Sequence, residues 1–351
     1  MIKDKGILIK NIYYMLTYAF QELRKNTYDK IAVEDFEEAH DLFAEIIVKG
    51  LSAQLKQGLH RSYVVCRDSL TTLRGKPDMA ATIKNYAKGR QELTCEFDMF
   101  SEDCLFNRIL KTTISLLIHH PAVGPQRKAA LRKLMPFFIN VGETDIKSIY
   151  WNSLRFDRNT MRYRMLIYIC YFVIDNIIMT DEQGDYGVYK FSDDKMCRLF
   201  EKFVLEYYKR HHPELHPRAR RIAWNIIEEE SSVSSMPVMQ TDIFMTAGER
   251  TLIIDTKYYG KTMQSHHDKA TIHSNNLYQI FSYVMNHDSA HTGNTDGMLL
   301  YARTGEEIQP DGQIKYPDGN TICYRNLDLS LDFNGIRQQL ENLIKPYIQS
   351  I

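Results

Sequence analysis

The sequence predicts an α+β N-terminal half, residues 1–190, followed by an α/β domain, residues 191–351, built on a central mixed sheet. Three observations carry this. Helical and extended stretches intermingle over the first 180 residues. A segment rich in Asp, Gly and Ser, "MTDEQGDYGVYKFSDDK" (179–195), then breaks the periodicity and marks the boundary. Beyond it the order is helix, three strands, helix, strand, helix, as expected for one sheet with helices packed on it. Each part is long enough for a core of its own, and a fragment starting near residue 190 is expected to fold alone.

In the N-terminal half, "NIYYMLTYAFQEL" (11–23) places Ile12, Met15, Leu16, Ala19 and Phe20 at helical spacing. An acidic amphipathic helix follows over about 33–55. "RSYVVCRDSLTTLRGKPD" (61–78) reads as extended with a turn at Gly75 and Pro77, "MAATIKNYAKG" (79–89) as a short helix, and "ELTCEFDMF" (92–100) as a strand. Segments 103–119, 125–138 and 158–179 read as helices, the last of them core-forming.

In the C-terminal part, residues 194–210 form an amphipathic helix with Leu199, Phe200, Phe203, Val204 and Tyr207 on one face. "RIAWNIIEE" (221–229), "MPVMQTDIFMT" (236–246) and "RTLIIDTKYY" (250–259) read as strands. "NNLYQIFSYVMN" (275–286) is a helix, "GMLLYA" (297–302) a strand and "FNGIRQQLENLIKPYI" (333–348) a closing helix.

Composition narrows the function classes. Forty-four basic residues balance forty-four acidic ones, so any nucleic-acid affinity must come from a local basic surface. The longest apolar run, "MLIYICYFVI" (165–174), falls short of the roughly 20 residues of a membrane span, and the N-terminus lacks the pattern of a signal peptide. Six cysteines without a C-x-x-C pair read as reduced residues of a cytoplasmic protein. The pairs His119-His120, His211-His212 and His266-His267 lack the i, i+4 spacing of helical metal ligands.

The chemistry concentrates around "AGE" (247–249), a turn short enough to make the second and third strands a hairpin. If Thr246 pairs with Thr251, Asp242 falls opposite Asp255, and Lys257 shares a face with Asp255. Two facing carboxylates repel, and burying them is costly unless a cation lies between them. A hard divalent ion such as Mg²⁺ would resolve the conflict, leaving the lysine to orient water or stabilise charge on phosphorus. The plainer alternative is a lysine paired with an aspartate at a sheet edge. Gln279 and Tyr283, at i, i+4 on the next helix, and Glu201 on the helix before the sheet are further candidates. Their plainer readings are a polar residue and a core tyrosine on an amphipathic helix, and an exposed helical glutamate.

Asp242 followed by Asp255-x-Lys257 at the end of an apolar strand resembles the PD-(D/E)xK nuclease superfamily, although the leading proline is absent from its usual place. That resemblance implies that both acids bind Mg²⁺ and that the lysine assists hydrolysis. Gln279-x-x-x-Tyr283 is similar to the Q-x-x-x-Y motif of the RecB-like branch, and Glu201 to an additional acid such nucleases carry. "NIYYMLTYAF", "LRGKPD" (73–78), "FDMFSEDCLFNRILKTTISLLI" (97–118), "TDIFM", "LIIDTKYY" and "NLYQIFSY", in this order, resemble the McrC family over about residues 10–301. McrC is the nuclease subunit of the McrBC modification-dependent restriction systems. The resemblance implies a partner, an McrB-like AAA+ GTPase hexamer that reads methylcytosine, which this chain would bind through its N-terminal half and stimulate, cutting double-stranded DNA that contains modified cytosine.

The sequence agrees with GTP being bound by a partner. Gly260-Lys261-Thr262 is its nearest approach to a phosphate loop, but Asp255 stands where the first glycine belongs. Arg218, Arg220, Arg221, Lys261 and Lys269 are candidates for DNA phosphate contacts, against the plainer reading of solvated charges. Arg74 and Lys76 at the "LRGKPD" turn are candidates for reaching a GTPase ring. Two other readings are a non-cutting GTPase-activating bridging subunit and a RecB-like nuclease acting without a GTPase.

Overall fold

A computed structural model describes residues 3–4, 7–20, 36, 38–158, 160–183, 193–227, 235–258, 263–266, 269–303 and 309–349. The chain packs as two compact units: residues 38–174, and a second unit made of 1–37 with 175–351. The chain starts in this second unit with a two-residue ladder, β1 (Lys3–Asp4) and β2 (Ile7–Leu8), and helix α1 (Ile9–Ala19).

The unit formed by residues 38–174 contains α2 (Ala39–Leu55), β3 (Ser62–Leu70), β4 (Lys76–Pro77), α3 (Met79–Ala87), β5 (Leu93–Ser101), α4 (Leu105–His119), α5 (Pro125–Leu134) and the first part of α6 (Met161–Gln183). These elements follow the predicted ones closely; the helix expected over 125–138 ends in a 3-10 turn, Met135–Phe138, as Pro136 breaks the α ladder. β3 runs antiparallel to β5 from Ser62↔Ser101 to Leu70↔Leu93, and β4 adds to the other side of β5. Asp78 caps α3 by accepting from Ala81 N at 3.0 Å. Phe43, Ile46 and Ile47 of α2, Ile109 and Ile114 of α4, and Ile169 and Phe172 of α6 are all buried.

The second unit continues with α7 (Asp193–His211), β6 (Arg218–Ile222), β7 (Met239–Ala247), β8 (Arg250–Lys257), the small hairpin β9 (Met263–His266) and β10 (Lys269–Ile272), α8 (Ser274–His287), β11 (Thr295–Ala302), β12 (Gly312–Lys315), β13 (Thr321–Leu327) and α9 (Phe333–Ile348). Six strands form a mixed sheet in the order β12-β13-β11-β8-β7-β6, with β11 parallel to both β8 and β13. One face is covered by α8, whose Ile280, Tyr283 and Val284 pack with Phe244, Ile253, Leu299 and Ile322. α8 comes close because Gly297 has no side chain: a Cβ there would stand 2.7 Å from Ile280 and 2.9 Å from Val284. On the opposite face, Met245 and Leu252 meet Tyr347 of α9, which is in turn tied to α7 by Tyr208 Oη donating to Leu340 O at 3.0 Å.

Besides the short pairs β1–β2 and β9–β10, which were not expected, two features depart from the sequence reading. β6 ends at Ile222, so most of "RIAWNIIEE" lies outside the sheet. β12 and β13 were not expected, because Arg325 and Asn326 interrupt the apolar pattern of "TICYRNL". Both find partners at the sheet edge: Arg325 Nη1 donates to Gly312 O at 2.7 Å, and Asn326 donates to Pro310 O.

The division of packing also differs from a single cut at residue 190. The apolar stripe of α1 lies against the C-terminal unit. Tyr18 packs edge-on to Phe203 with its hydroxyl 2.8 Å from His211 Nε2, Tyr14 stacks on Phe333, and Asn11 Nδ2 donates to Leu329 O and Leu331 O, each at 2.7 Å. A stripe that binds elements more than 180 residues away carries no local sign of its destination. Residues 190–351 made without α1 should therefore unfold at a lower temperature than the full chain's C-terminal unit, and co-producing residues 1–37 should restore the difference. In the full chain, Leu16→Ala removes a fully buried side chain and should cost about 3 kcal/mol in denaturant unfolding.

Candidate active site

The β7–β8 hairpin has the anticipated register. Thr246 pairs with Thr251 and Ile243 with Ile254, across a turn in which Gly248 takes φ +58°. The paired ladder ends at Ile243↔Ile254, and Asp242 and Asp255 are the next residue on each strand. The two acids are met differently. Asp242 Oδ2 accepts from Thr256 N at 2.7 Å and from Thr256 Oγ1 at 2.8 Å. Asp255 is 2% exposed, and its Oδ2 accepts no well-directed hydrogen bond although Lys257 Nζ lies 2.7 Å away as an ion pair. β8 is paired with β7 as far as Ile254 and with β11 through Lys257, so β11 holds the backbone that carries Asp255 and Lys257.

α8 supplies the next layer. Lys257 Nζ donates to Gln279 Oε1 at 3.0 Å, Gln279 Nε2 donates to Tyr283 Oη at 2.9 Å, and Tyr283 Oη donates to Gln240 O at 3.0 Å. The i, i+4 pair thus forms a chain of donors from the lysine back to the β7 backbone. Glu201 of α7 is partly buried and lies within the field of both aspartates.

Burial dominates the electrostatics. It raises the pKa of Asp242 against the opposing pull of the Thr256 hydrogen bonds and Lys257. Burial and the neighbouring Asp242 push Asp255 up to about 6, with Lys257 opposing. Burial, then Asp242 and Asp255, push Glu201 up to about 7. Asp242 hinders the ionisation of Asp255, and both hinder that of Glu201, so the site favours a cation.

Among the described residues no group of three or more His, Cys, Asp or Glu side chains is close enough to enclose a metal. Mg²⁺ requires less, since it keeps several waters and takes one or two carboxylates with substrate phosphate oxygens. Two facing carboxylates, one with a buried oxygen lacking a well-directed donor, fit that donor set.

The other residues singled out from sequence are placed as follows. Arg218, Arg220 and Arg221 lie exposed on the edge strand β6, with Arg220 paired to Thr241 beside Asp242. Lys261 lies outside the described residues, and Lys269 begins β10. Arg74 and Lys76 belong to the other unit. Arg74 stacks 4.2 Å over the Phe97 ring, and Lys76 pairs with Glu96. Gly75 between them has φ +67°, and a Cβ would stand 2.4 Å from Glu96 O, so this turn requires glycine. Sequence reading did not anticipate Thr256 as the donor that fixes Asp242, since a threonine in a strand is ordinary.

Asp255 near 6, against about 3.9 in an unfolded chain, gives a signed expectation. Between those values the folded state retains the extra proton, so metal-free stability falls as pH rises through the window. The melting-temperature advantage of Asp255→Asn over the native chain, measured in EDTA, should grow from pH 4 to about pH 7 and then level off. A constant difference across that range would overturn the burial of charge at this position.

A family model described as the McrBC 5-methylcytosine restriction system component matches residues 4–302. The chain is 26% identical over 349 residues to the Type IV methyl-directed restriction enzyme EcoKMcrBC of Escherichia coli (strain K12), an alignment covering 98% of this chain and 99% of that protein. A chain of the half-complex of Thermococcus gammatolerans McrB AAA+ hexamers with bound McrC superposes with a TM-score of 0.43 at 18% identity, over 93% of this chain and 76% of that one. A chain of the cryo-EM McrBC complex of the same organism gives 0.40 at 20% identity, over 57% and 58%. With the family model spanning most of its length, this chain belongs to the McrBC 5-methylcytosine restriction system component family.

Proposed function

We propose that the chain is the DNA-cutting subunit of a GTP-dependent, modification-dependent restriction complex, acting as a Mg²⁺-dependent endonuclease of the PD-(D/E)xK type. The observation that supports this is the buried pair Asp242 and Asp255 in hairpin register, with Lys257 beside them and held by Gln279. When bound, Mg²⁺ supplies positive charge to the phosphodiester under attack. Asp242 and Asp255 would hold it. Thr256 keeps the Asp242 carboxylate aimed by donating to one of its oxygens. Gln279 and Tyr283 fix the lysine ammonium, which opposes negative charge developing on the phosphate oxygens. Glu201, partly buried and within the field of both aspartates, would add a third acid to the site.

The partner is an McrB-like AAA+ GTPase hexamer, which would bind GTP and read modified cytosine in double-stranded DNA. Family membership supports this, as do the N-terminal motifs "NIYYMLTYAF" and "LRGKPD". The first packs within the unit that carries the nuclease site, while the second lies in the unit formed by residues 38–174.

Combined with its neighbouring GTPase, the chain should cut methylated but not unmethylated DNA in the presence of GTP and Mg²⁺. Asp242→Ala, Asp255→Ala and Lys257→Ala should each lower cleavage by about a thousandfold while GTP turnover of the mixture is kept. Cleavage that survives Asp255→Ala would remove the site assignment. Independently of cutting, Mg²⁺ or Mn²⁺ should raise the melting temperature of the native chain but not of Asp242→Ala, since ligand binding to the folded state alone stabilises it.

A further inference from the structure

At the open edge of the sheet, two arginines are stacked on one buried ring. Phe244 of β7 is fully buried, and the guanidinium carbons of Arg220 and Arg218 lie 4.5 Å and 5.3 Å from its ring centroid. The pairing beneath them is irregular: two residues of β6, Arg218 to Arg220, span three of β7, Phe244 to Thr241, so the extra residue lies in β7. Thr241 secures the shift, its hydroxyl accepting from Arg220 N at 3.2 Å and donating to Arg220 O at 3.0 Å. A strand bulge at a sheet edge re-aims the side chains next to it, and here it brings both guanidinium groups to the same ring.

That ring shares a face with Asp255. Phe244 pairs with Ile253, which is two residues from Asp255 on the unbroken strand β8, so Phe244 and Asp255 point to one side of the sheet. The arginine shelf and Asp255 are therefore about two residues apart along the sheet, roughly 7 Å, which is on the scale of the spacing between neighbouring phosphates of one strand. Arg218 Nη1 donates to His216 O at 3.1 Å, and among the described residues no carboxylate forms an ion pair with Arg218 or Arg220. A guanidinium held over an aromatic ring retains N–H donors for an incoming oxyanion. Arg221 does not share the ring and is not part of the shelf.

We propose that Arg218 and Arg220, stacked on Phe244, form a preorganised clamp for backbone phosphates of the DNA strand one or two nucleotides from the bond to be cut. Both are positioning residues, and the inference rests on the nuclease reading of Asp242, Asp255 and Lys257. Stacking removes much of the rotamer freedom that an arginine otherwise loses on binding phosphate, and the contact carries no base preference.

The test is fluorescence anisotropy of the full chain with a labelled 30-base-pair duplex in EDTA, across a series of NaCl concentrations. Each phosphate contact contributes about 0.9 to the slope of log K against log salt. The double variant Arg218→Ala/Arg220→Ala should flatten that slope by about 2 and bind equally weakly to duplexes of unrelated sequence. Arg218→Lys/Arg220→Lys keeps the charges but loses the flat fork, and should restore the slope while leaving affinity several-fold below native. Arginines that only shield Phe244 would lower the melting temperature and leave the slope unchanged, a result that overturns the clamp. No measurable binding by the unaltered chain overturns it as well. The nuclease reading is judged separately with the same duplex and Mg²⁺ in the GTPase mixture. Arginine-dependent binding with cutting that survives Asp255→Ala would retain the clamp and remove the nuclease site, and loss of cutting in Asp255→Ala with an arginine-independent slope would do the reverse.

Discussion

The repulsion between two aspartates placed face to face in a hairpin governs the C-terminal unit. Asp242 and Asp255 project from paired strands onto a covered face of a sheet, and burial raises both their pKa values. The surroundings offset this only in part. Thr256 donates twice to one carboxylate, Lys257 forms an ion pair with the other, and Gln279 with Tyr283 holds the lysine in place. Removing one partner of such a buried set leaves an uncompensated charge. The fold therefore preserves an unfavourable arrangement through strand pairing on both sides of β8 and helix packing above it. Gly297 has a role at a distance, because its missing side chain lets α8 approach closely enough for Gln279 to reach the lysine.

What could be read from sequence follows from the range of the interactions involved. The hairpin was legible because a short turn, Gly248-Glu249, fixes the register and the period of a strand fixes the face. Gln279 and Tyr283 were legible as one face of a helix, and their hydrogen bond to each other is the local i, i+4 contact that such spacing allows. Lys257 next to Asp255 needed only a two-residue count.

The less legible features depend on distant partners. α1 showed its apolar stripe, but that stripe could have met any apolar surface, and it meets Phe203 and Phe333. β13 was hidden by Arg325 and Asn326, whose side-chain N–H groups donate to backbone carbonyls at residues 312 and 310. The β6 arginines read as solvated charge because nothing in "RARRI" indicates that Phe244, more than twenty residues later, will lie beneath two of them. Glu201 shows the same limit: helical periodicity places it on α7, but its elevated pKa comes from burial and then from acids on β7 and β8.

The discontinuous composition of the second unit has a consequence for biosynthesis. α1 is made early, yet its packing partners α7 and α9 begin at residues 193 and 333. At 5–20 residues per second, α1 waits on the order of ten seconds for α7 and longer for α9. During that interval the unit formed by residues 38–174 is completed first, while the exposed face of α1 is open to chaperones. The hairpin bearing Asp242 and Asp255 emerges later still and reaches a finished core only when the last helix closes it. The order of synthesis thus delays completion of the proposed cutting site until nearly the whole chain has been made.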